Sequence, residues 1–262
     1  MIKLLKKPIL SLIPQPVKNF IYNNHPSYKK TIGASLSFSQ EGEDMILKRI
    51  YNGKTNGFYI DIGAHHPVNH SNTNYFYQQG WTGINIDATP HSMEPFKKLR
   101  PRDINLEMII SNTEGLLDFH VFDPSLMNTI SASQAAENRK FEWCKFIETV
   151  KVESAPLRKV LDTYLPDKIE IDFMSIDVES AEMEVLLSND WERCKPNVIL
   201  VEVIDRSVEE ILDTEVYTFL KSHDYVFFAK SGNTIFFNNS LLKEVFNIIR
   251  IWLIVYSVSS LD

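Results

Sequence analysis

Five residues at 58–62, Phe-Tyr-Ile-Asp-Ile, are apolar except for one acid, and the run stops at Gly63. Similar short apolar runs recur along the chain, separated by segments with helical spacing. That alternation predicts parallel strands joined by crossover helices. After the first run, Ser71 is placed to cap a helix carrying Asn74, Tyr75, Phe76 and Tyr77. The Gly80-Trp81-Thr82-Gly83 turn leads into a second strand at 84–87, and Pro90 starts a helix with Met93, Phe96 and Leu99 on one side. A third strand is expected at 105–110, and residues 116–122 alternate as a half-exposed strand does. Residues 123–140 are polar and aperiodic, the pattern of a functional loop or a disordered segment. Regularity returns with a helix at 157–165, a strand at 171–176 ending on Asp177, and a helix through Ala181, Val185 and Leu186. The most β-rich run is 197–203. Runs at 225–228 and 234–237 then flank a five-residue turn containing Gly232, which predicts an antiparallel hairpin. The expectation is one doubly wound α/β domain with a mostly parallel sheet, an antiparallel edge and an N-terminal extension.

Composition agrees with a globular chain. Of 262 residues, 44% are hydrophobic and 23% charged, which excludes a disordered polymer, a collagen or a disulfide scaffold. The two cysteines, Cys144 and Cys194, form no metal pattern and fit a reducing, cytoplasmic setting. The net charge of −7 argues against nucleic acid as a partner. Charge is unevenly spread: residues 1–40 hold six lysines and no acid, leaving −13 on the remainder. This segment has neither the small-residue cleavage site of a secretory signal nor the ~20 apolar residues of a spanning helix. It reads as a loosely ordered tail or as a basic amphipathic arm touching a partner or the inner face of a membrane. The apolar stretch 248–256, broken by Arg250, reads as a packed terminal element, a docking helix or a homo-oligomer contact. The division expected is an extension at 1–37, a catalytic domain at 38–240 and a terminal element at 241–262.

In folds of this class, ligands bind beyond the carboxyl ends of the strands. Asp61, Asp87 and Asp177 stand at three such ends, and Glu202 lies near a fourth. Asp87 comes 26 residues after Asp61, at the end of the next strand, where a carboxylate accepts hydrogen bonds from a ribose diol. The first loop, Asp61-Ile62-Gly63-Ala64-His65-His66-Pro67, has one glycine where a dinucleotide fingerprint needs three. A nucleoside without phosphates fits better, and S-adenosylmethionine is the common one.

Several ordered motifs go further. Ser39-Gln40-Glu41-Gly42-Glu43-Asp44, the 57–67 segment, Ser71-Asn72-Thr73, the 80–87 segment, Arg100-Pro101-Arg102-Asp103 and Asp177-Val178-Glu179-Ser180-Ala181-Glu182 together resemble the FkbM family of S-adenosylmethionine-dependent methyltransferases. The resemblance covers roughly residues 38–240. It implies a class I methyltransferase (Rossmann-like) fold and methyl transfer to a hydroxyl oxygen. The acceptor it implies is a saccharide, a glycan or another polyhydroxylated small molecule. By the same resemblance Asp61, Gly63 and Ala64 line the methionine and ribose side of the cofactor, Asp87 takes the ribose hydroxyls, and Ser111 neighbours the adenine. One departure is Ser180, where the family usually has glycine; it bears on the substrate side of that turn.

An alcohol acceptor needs a base, and a positioned one contributes ~10²–10⁴-fold. Asp177 and Glu179 are the candidates, with cofactor orientation as the other role for Asp177. Glu179 and Glu182 also read as helix-start acids stabilised by the dipole. His65, His66 and His70 crowd six positions. The expectation is that one of His65 and His66 faces the reaction while the other packs. Their spacing fits no standard zinc motif, so no metal is expected. Asn72 and Thr73 begin a helix that either caps itself or holds the methionine carboxylate. Gln40, Glu43 and Asp44 either close over the cofactor or form a solvated helix start. Arg100 and Arg102 read as surface residues or as contacts to an acidic substrate group, and Phe58, Tyr59 and Trp81 as core. Two other functions use the same fold: a nicotinamide-dinucleotide oxidoreductase, and a non-catalytic nucleoside-binding module.

Overall fold

A computed structural model describes residues 35–240. The basic extension up to residue 34 and the apolar element from 241 onward lie outside the described residues. In chain order the elements that frame the site are helix α1 (Glu43–Ile50), strand β1 (Phe58–Ile62), α2 (Asn74–Gln78), β2 (Thr82–Asp87), α3 (Met93–Leu99), β3 (Ile104–Glu107), β4 (Ile109–Ile110) and β5 (Gly115–Asp123). They continue with α4 (Ala132–Asn138), β6 (Lys145–Ala155), α5 (Leu157–Tyr164), β7 (Phe173–Ile176), α6 (Glu182–Ser188), β8 (Val198–Glu202), α7 (Val208–Ile211), α8 (Glu215–Ser222), β9 (Tyr225–Ser231) and β10 (Thr234–Asn239).

The main sheet runs β3-β2-β1-β7-β8-β10-β9. Its first five strands are parallel, and the β9–β10 hairpin closes one edge antiparallel. This is the class I methyltransferase arrangement: an α/β sheet, doubly wound, with strand order reversing between β1 and β7. A parallel sheet must be covered on both faces, so its strands are apolar throughout. Strand β1 obeys this, being buried at all five positions. Its alternate residues serve different cores. Phe58, Ile60 and Ile62 join Ile84, Ile86, Ile176 and Val201 under α5, α6 and α8, whereas Tyr59 joins Phe173, Leu200, Phe76 and Trp81 under α1 and α2. Each such side chain contributes about 1.5–3 kcal/mol on burial. Asp61 falls in the same phase as Tyr59, and this sets where its carboxyl group goes.

A second, three-stranded sheet, β4-β6-β5, is inserted between β3 and β7. Here the sequence expectations need correcting. The expected strand 105–110 is two strands in two sheets. Met108 donates its amide to the carbonyl of Asp87, where β2 ends, and Ile109–Ile110 then pairs with β6 instead. Strand β6 was not anticipated: Phe146, Val150 and Val152 keep an alternate phase, but exposed Glu148 interrupts it and the ladder with β5 shifts register at Phe122. The polar stretch 123–140 is ordered, with a 3-10 turn at Ser125–Met127 and α4 capped by Ser131. The hairpin turn is shorter than expected, because β9 continues to Ser231 and β10 starts at Thr234. Helix α2 has Thr73 rather than Ser71 at its N-cap, although Ser71 Oγ still accepts from the amide of Asn74 (3.1 Å). Both cysteines are free and buried. Among the described residues no helix is long and apolar enough to cross a membrane.

Asn128 and Thr129 help to order the insert and tie it to the main sheet. Asn128 Oδ1 accepts from the amide of Phe122 (2.7 Å) and its Nδ2 donates to Thr89 Oγ1 (3.0 Å), while Thr129 donates to the carbonyl of Glu179 (2.8 Å). Asn128 is 7% exposed, so Asn128→Ala leaves a buried amide unpaired. We expect it to cost about 1–3 kcal/mol in denaturant unfolding and to speed amide exchange in residues 122–131 before the main sheet is affected.

Candidate active site

The reversal of strand order creates a cleft at the carboxyl ends of β1, β2, β7 and β8, the place where α/β sheets bind ligands. It encloses about 290 Å³. Its floor is made of Ile62, Gly63, Asp87, Asp177 and Glu202, and its roof comes from the insert through Phe119, Leu126, Met127, Asn128 and Trp143.

Gly63 decides the shape of the floor. It has φ +83°, and a Cβ there would sit 1.6 Å from the carbonyl oxygen of Asp177. Only glycine allows β1 to turn so closely past the end of β7. The amides of Gly63 and Ala64 both donate to the carbonyl of Ile86 (2.9 and 3.0 Å), drawing the loop against β2. Asp87 is then fixed from two sides: Oδ2 accepts from the amide of His65 (2.9 Å) and Oδ1 from that of Thr89 (2.8 Å). A carboxylate has about four lone-pair sites, so two remain for a pair of hydroxyls. Beside it Ala88, Met108, Ile109 and Ile110 make an apolar wall.

At the other end of the cleft, Asp177, Glu179 and Glu202 present carboxylate oxygens within 4.8 Å of one another. Glu179 (φ +53°) and Ser180 (φ +75°) are both in the left-handed region. This explains why glycine suits position 180, since a Cβ there is strained. The turn is held by Glu182 Oε1, which accepts from the amides of Val178 (3.2 Å) and Ser180 (3.1 Å), and by the bond from Thr129 to the Glu179 carbonyl. Enclosure by protein, then the charges of Asp177 and Glu182, push the Glu179 carboxyl up to about 8. Glu202 rises to about 7 through burial and the nearby Glu179 and Glu182. Asp177 opens to water in the cleft, yet desolvation by the cleft walls, followed by Glu202 and Glu182, holds it well above the usual carboxylate range. Like charges this close do not all ionise together, so the cluster retains a proton near neutrality.

The candidate residues fall into two groups. Gly63, Asp87, Asp177, Glu179 and His65 line the cleft, and Gln40 joins them. The others stand elsewhere. Ala64 is 3% exposed and packs on Met93 and Phe96. Ser111 is fully buried between β4 and β6, where its hydroxyl pairs with that of Ser154 (3.2 Å), so it cannot reach an adenine. His66 faces a shallower hollow beside the cleft, and its Nδ1 accepts from the amides of Val68 (3.1 Å) and Asn69 (3.0 Å). Burial lowers both His65 and His66, which keeps the rings neutral. Asn72 bridges to Ser175 Oγ (3.0 Å). Thr73 stands at the N-cap position but its side chain makes no capping bond; its hydroxyl donates to Asp61 Oδ2 (2.8 Å), and both residues lie behind the cleft wall. Glu43 and Asp44 are buried, with Asp44 accepting from the hydroxyls of Ser37 and Ser39 and the amide of Phe38. Arg100, read as a surface residue, is 1% exposed. Glu202 and Trp143 were not singled out as site residues. The strand-end position of Glu202 was a usable signal, whereas Trp143 reaches the cleft only through the fold of the insert.

Comparison with known proteins supplies the family. The family described as "Methyltransferase FkbM domain" matches residues 61–227. None of the curated proteins compared with the chain matches it. Among solved structures, the chain is similar to a precorrin-6y C5,15-methyltransferase from Geobacter metallireducens GS-15, at 12% identity and TM-score 0.40, over 80% of this chain and 92% of that one. It is also similar to a TehB-like SAM-dependent methyltransferase from Corynebacterium glutamicum ATCC 13032 Kitasato, at 9% identity and TM-score 0.39, over 86% of this chain and 99% of that one. The fold assignment rests on strand order and not on these two.

The raised carboxyls make stability depend on pH. Glu179 binds its proton up to about pH 8 in the folded state and releases it near 4.5 when unfolded. The folded state therefore holds more protons across that window, and stability falls as pH rises through it. We expect the melting temperature to drop from pH 5 to pH 8.5. Glu179→Gln should flatten that drop, gaining on the order of 1 kcal/mol at pH 8.5 relative to wild type, as read by thermal denaturation over a pH series.

Proposed function

Because the chain belongs to the FkbM family of methyltransferases and takes S-adenosylmethionine as methyl donor, we propose that it is an O-methyltransferase acting on an uncharged hydroxyl of a saccharide, a glycan or another polyhydroxylated metabolite. The observation that carries this reading is the carboxylate cluster of Asp177, Glu179 and Glu202 at the end of the cleft away from Asp87. No lysine or arginine lines the cleft among the described residues, so an anionic acceptor finds no counter-charge there.

The cleft residues fit the cofactor. Gly63 leaves the floor free of a Cβ, Asp87 keeps two lone-pair sites for the ribose diol, and Met108, Ile109 and Ile110 offer an apolar slot for a base. Nothing in the lining is suited to phosphate, which disfavours a dinucleotide. When bound, S-adenosylmethionine supplies an electrophilic methyl group on a sulfonium. The chain's part is to bind, orient and accept a proton. A carboxylate oxygen of Glu179 or Asp177 takes the proton that the acceptor hydroxyl loses, and the neighbouring acids set its basicity near neutral pH. The roof from Phe119 to Trp143 limits water, which strengthens these interactions.

Trp143 and Phe141 support a ring-shaped acceptor. Their rings stack at 5.4 Å and 26°, and Trp143 is 62% exposed while lining the cleft mouth. Such an exposed apolar face suits the flat C–H face of a sugar. We place the enzyme in the cytoplasm, with the basic 1–40 segment as its contact to a membrane or partner.

The direct test is mass spectrometry of neutral saccharides incubated with the protein and isotopically labelled S-adenosylmethionine. Label on a hydroxyl oxygen is expected; label confined to nitrogen, carbon or a carboxylate overturns the proposal. Asp87→Ala should weaken S-adenosylhomocysteine binding about tenfold, the loss of one or two hydrogen bonds, measured by calorimetry. With an acceptor in hand, Glu179→Gln should lower kcat by about 10²-fold, and Trp143→Ala should chiefly raise KM.

A further inference from the structure

Arg100 follows the last residue of α3 and is fully enclosed, at 1% exposure. Its Nη1 donates to Thr73 Oγ1 (2.8 Å) and Asn85 Oδ1 (3.1 Å), and its Nη2 to Ser71 Oγ (3.4 Å). Thr73 passes the bond on, donating its own hydroxyl to Asp61 Oδ2. The guanidinium also lies 5.9, 5.4 and 5.5 Å from the ring centroids of Tyr59, Tyr77 and Phe96. Among the described residues no carboxylate pairs with it directly and its Nε has no partner. Burying a cation in this way is expensive. The network buys orientation instead, since a planar fork reaches three acceptors that a lysine cannot reach together. All the groups it orients lie behind the cofactor end of the cleft: the 71–73 turn, Asn85 on β2, and Asp61 two residues before Gly63.

Resting on the cofactor reading above, we propose that Arg100 is a positioning residue for S-adenosylmethionine binding, acting through the Thr73 hydroxyl to orient Asp61 and the 71–73 turn behind Gly63. The charged groups facing Asp61 come from several elements. Arg100 follows α3, Asp87 ends β2, Asp103 precedes β3 and Asp177 follows β7. Burial pushes the Asp61 carboxyl up to about 6, while the Thr73 hydroxyl and Arg100 pull it down against Asp87 and Asp103. Asp103 is itself held by the hydroxyl of Tyr59 (2.7 Å), the amide of Gly83 (3.0 Å) and Asn85 Nδ2 (3.0 Å), so it does not compete for the Thr73 hydroxyl. Cutting the relay therefore raises the Asp61 titration and weakens cofactor binding at neutral pH more than at alkaline pH.

The experiment uses the full chain with Arg100→Met, Arg100→Lys and Thr73→Val, the last being nearly isosteric and leaving the cation in place. Two readouts are taken: the Asp61 carboxyl titration by carbon-13 NMR without cofactor, and S-adenosylhomocysteine affinity by calorimetry from pH 6 to 8.5. We expect the Asp61 midpoint to move up in Arg100→Met and Thr73→Val. Affinity should fall about tenfold at pH 7 and recover toward pH 8.5, and Arg100→Lys should restore part of both. Should Arg100→Met not fold, Thr73→Val alone decides. Unchanged midpoint and affinity overturn the proposal, and so does a moved midpoint with wild-type affinity, which makes Arg100 a purely structural cation. Failure of the wild-type protein to bind S-adenosylhomocysteine refutes the cofactor reading, and with it the binding role of Arg100, while the titration still reports on the relay.

Discussion

The contact on which the cleft depends is the passage of Gly63 against the carbonyl of Asp177. A parallel α/β sheet opens a crevice wherever its strand order reverses, but the crevice is useful only if both strand ends can approach a ligand. Here the backbone of one strand end touches the other with no side chain between them. That approach brings Asp87, held by two amides, and the acids after β7 and at the end of β8 to opposite ends of one small space. A single methyl group at position 63 would separate them.

Electrostatics follow from that geometry. The cluster of Asp177, Glu179 and Glu202 is costly to the fold, because each carboxyl is crowded by others and partly cut off from water. Structures keep such unfavourable groupings where chemistry needs them. Two consecutive residues in left-handed conformation, Glu179 and Ser180, hold one of the acids in place, and the turn has no glycine to relieve the strain.

Much of the main sheet was legible in the sequence, because a parallel strand buried on both faces leaves an apolar run that ends in a polar residue. Segments 58–62, 84–87 and 171–176 are such runs, each with an acid at or next to its end, and those acids marked the cleft edge. Of the insert only β5 was legible, from the alternation at 116–122. Strand β6 is largely exposed and Glu148 interrupts its alternation, while buried Ile109–Ile110 reads as a continuation of β3 although it pairs in another sheet. Side-chain direction was the other loss. Asp61, Thr73 and Arg100 occupy motif positions that suggest ligand contact or surface exposure, yet strand phase at Asp61 and helix-end positions at Thr73 and Arg100 bring them together in one buried network. Ser111 is a similar case, since the shift of the chain at Met108 carries it away from the cleft into a buried pair with Ser154.

The manner in which the β4–β6–β5 sheet is attached has an evolutionary consequence. It pairs with no strand of the parallel sheet and joins the rest of the domain through the packing of Ile110 and Ala155 on the main core and side-chain bonds involving Asn128, Thr129 and Ser180. Its outer loop, 124–143, can be lengthened or recoloured without altering β4 or the strand ends that carry Gly63 and Asp87. Under the proposed function, a lineage built on this plan can exchange one acceptor for another by rewriting that loop, with the Gly63–Asp87 floor inherited unchanged.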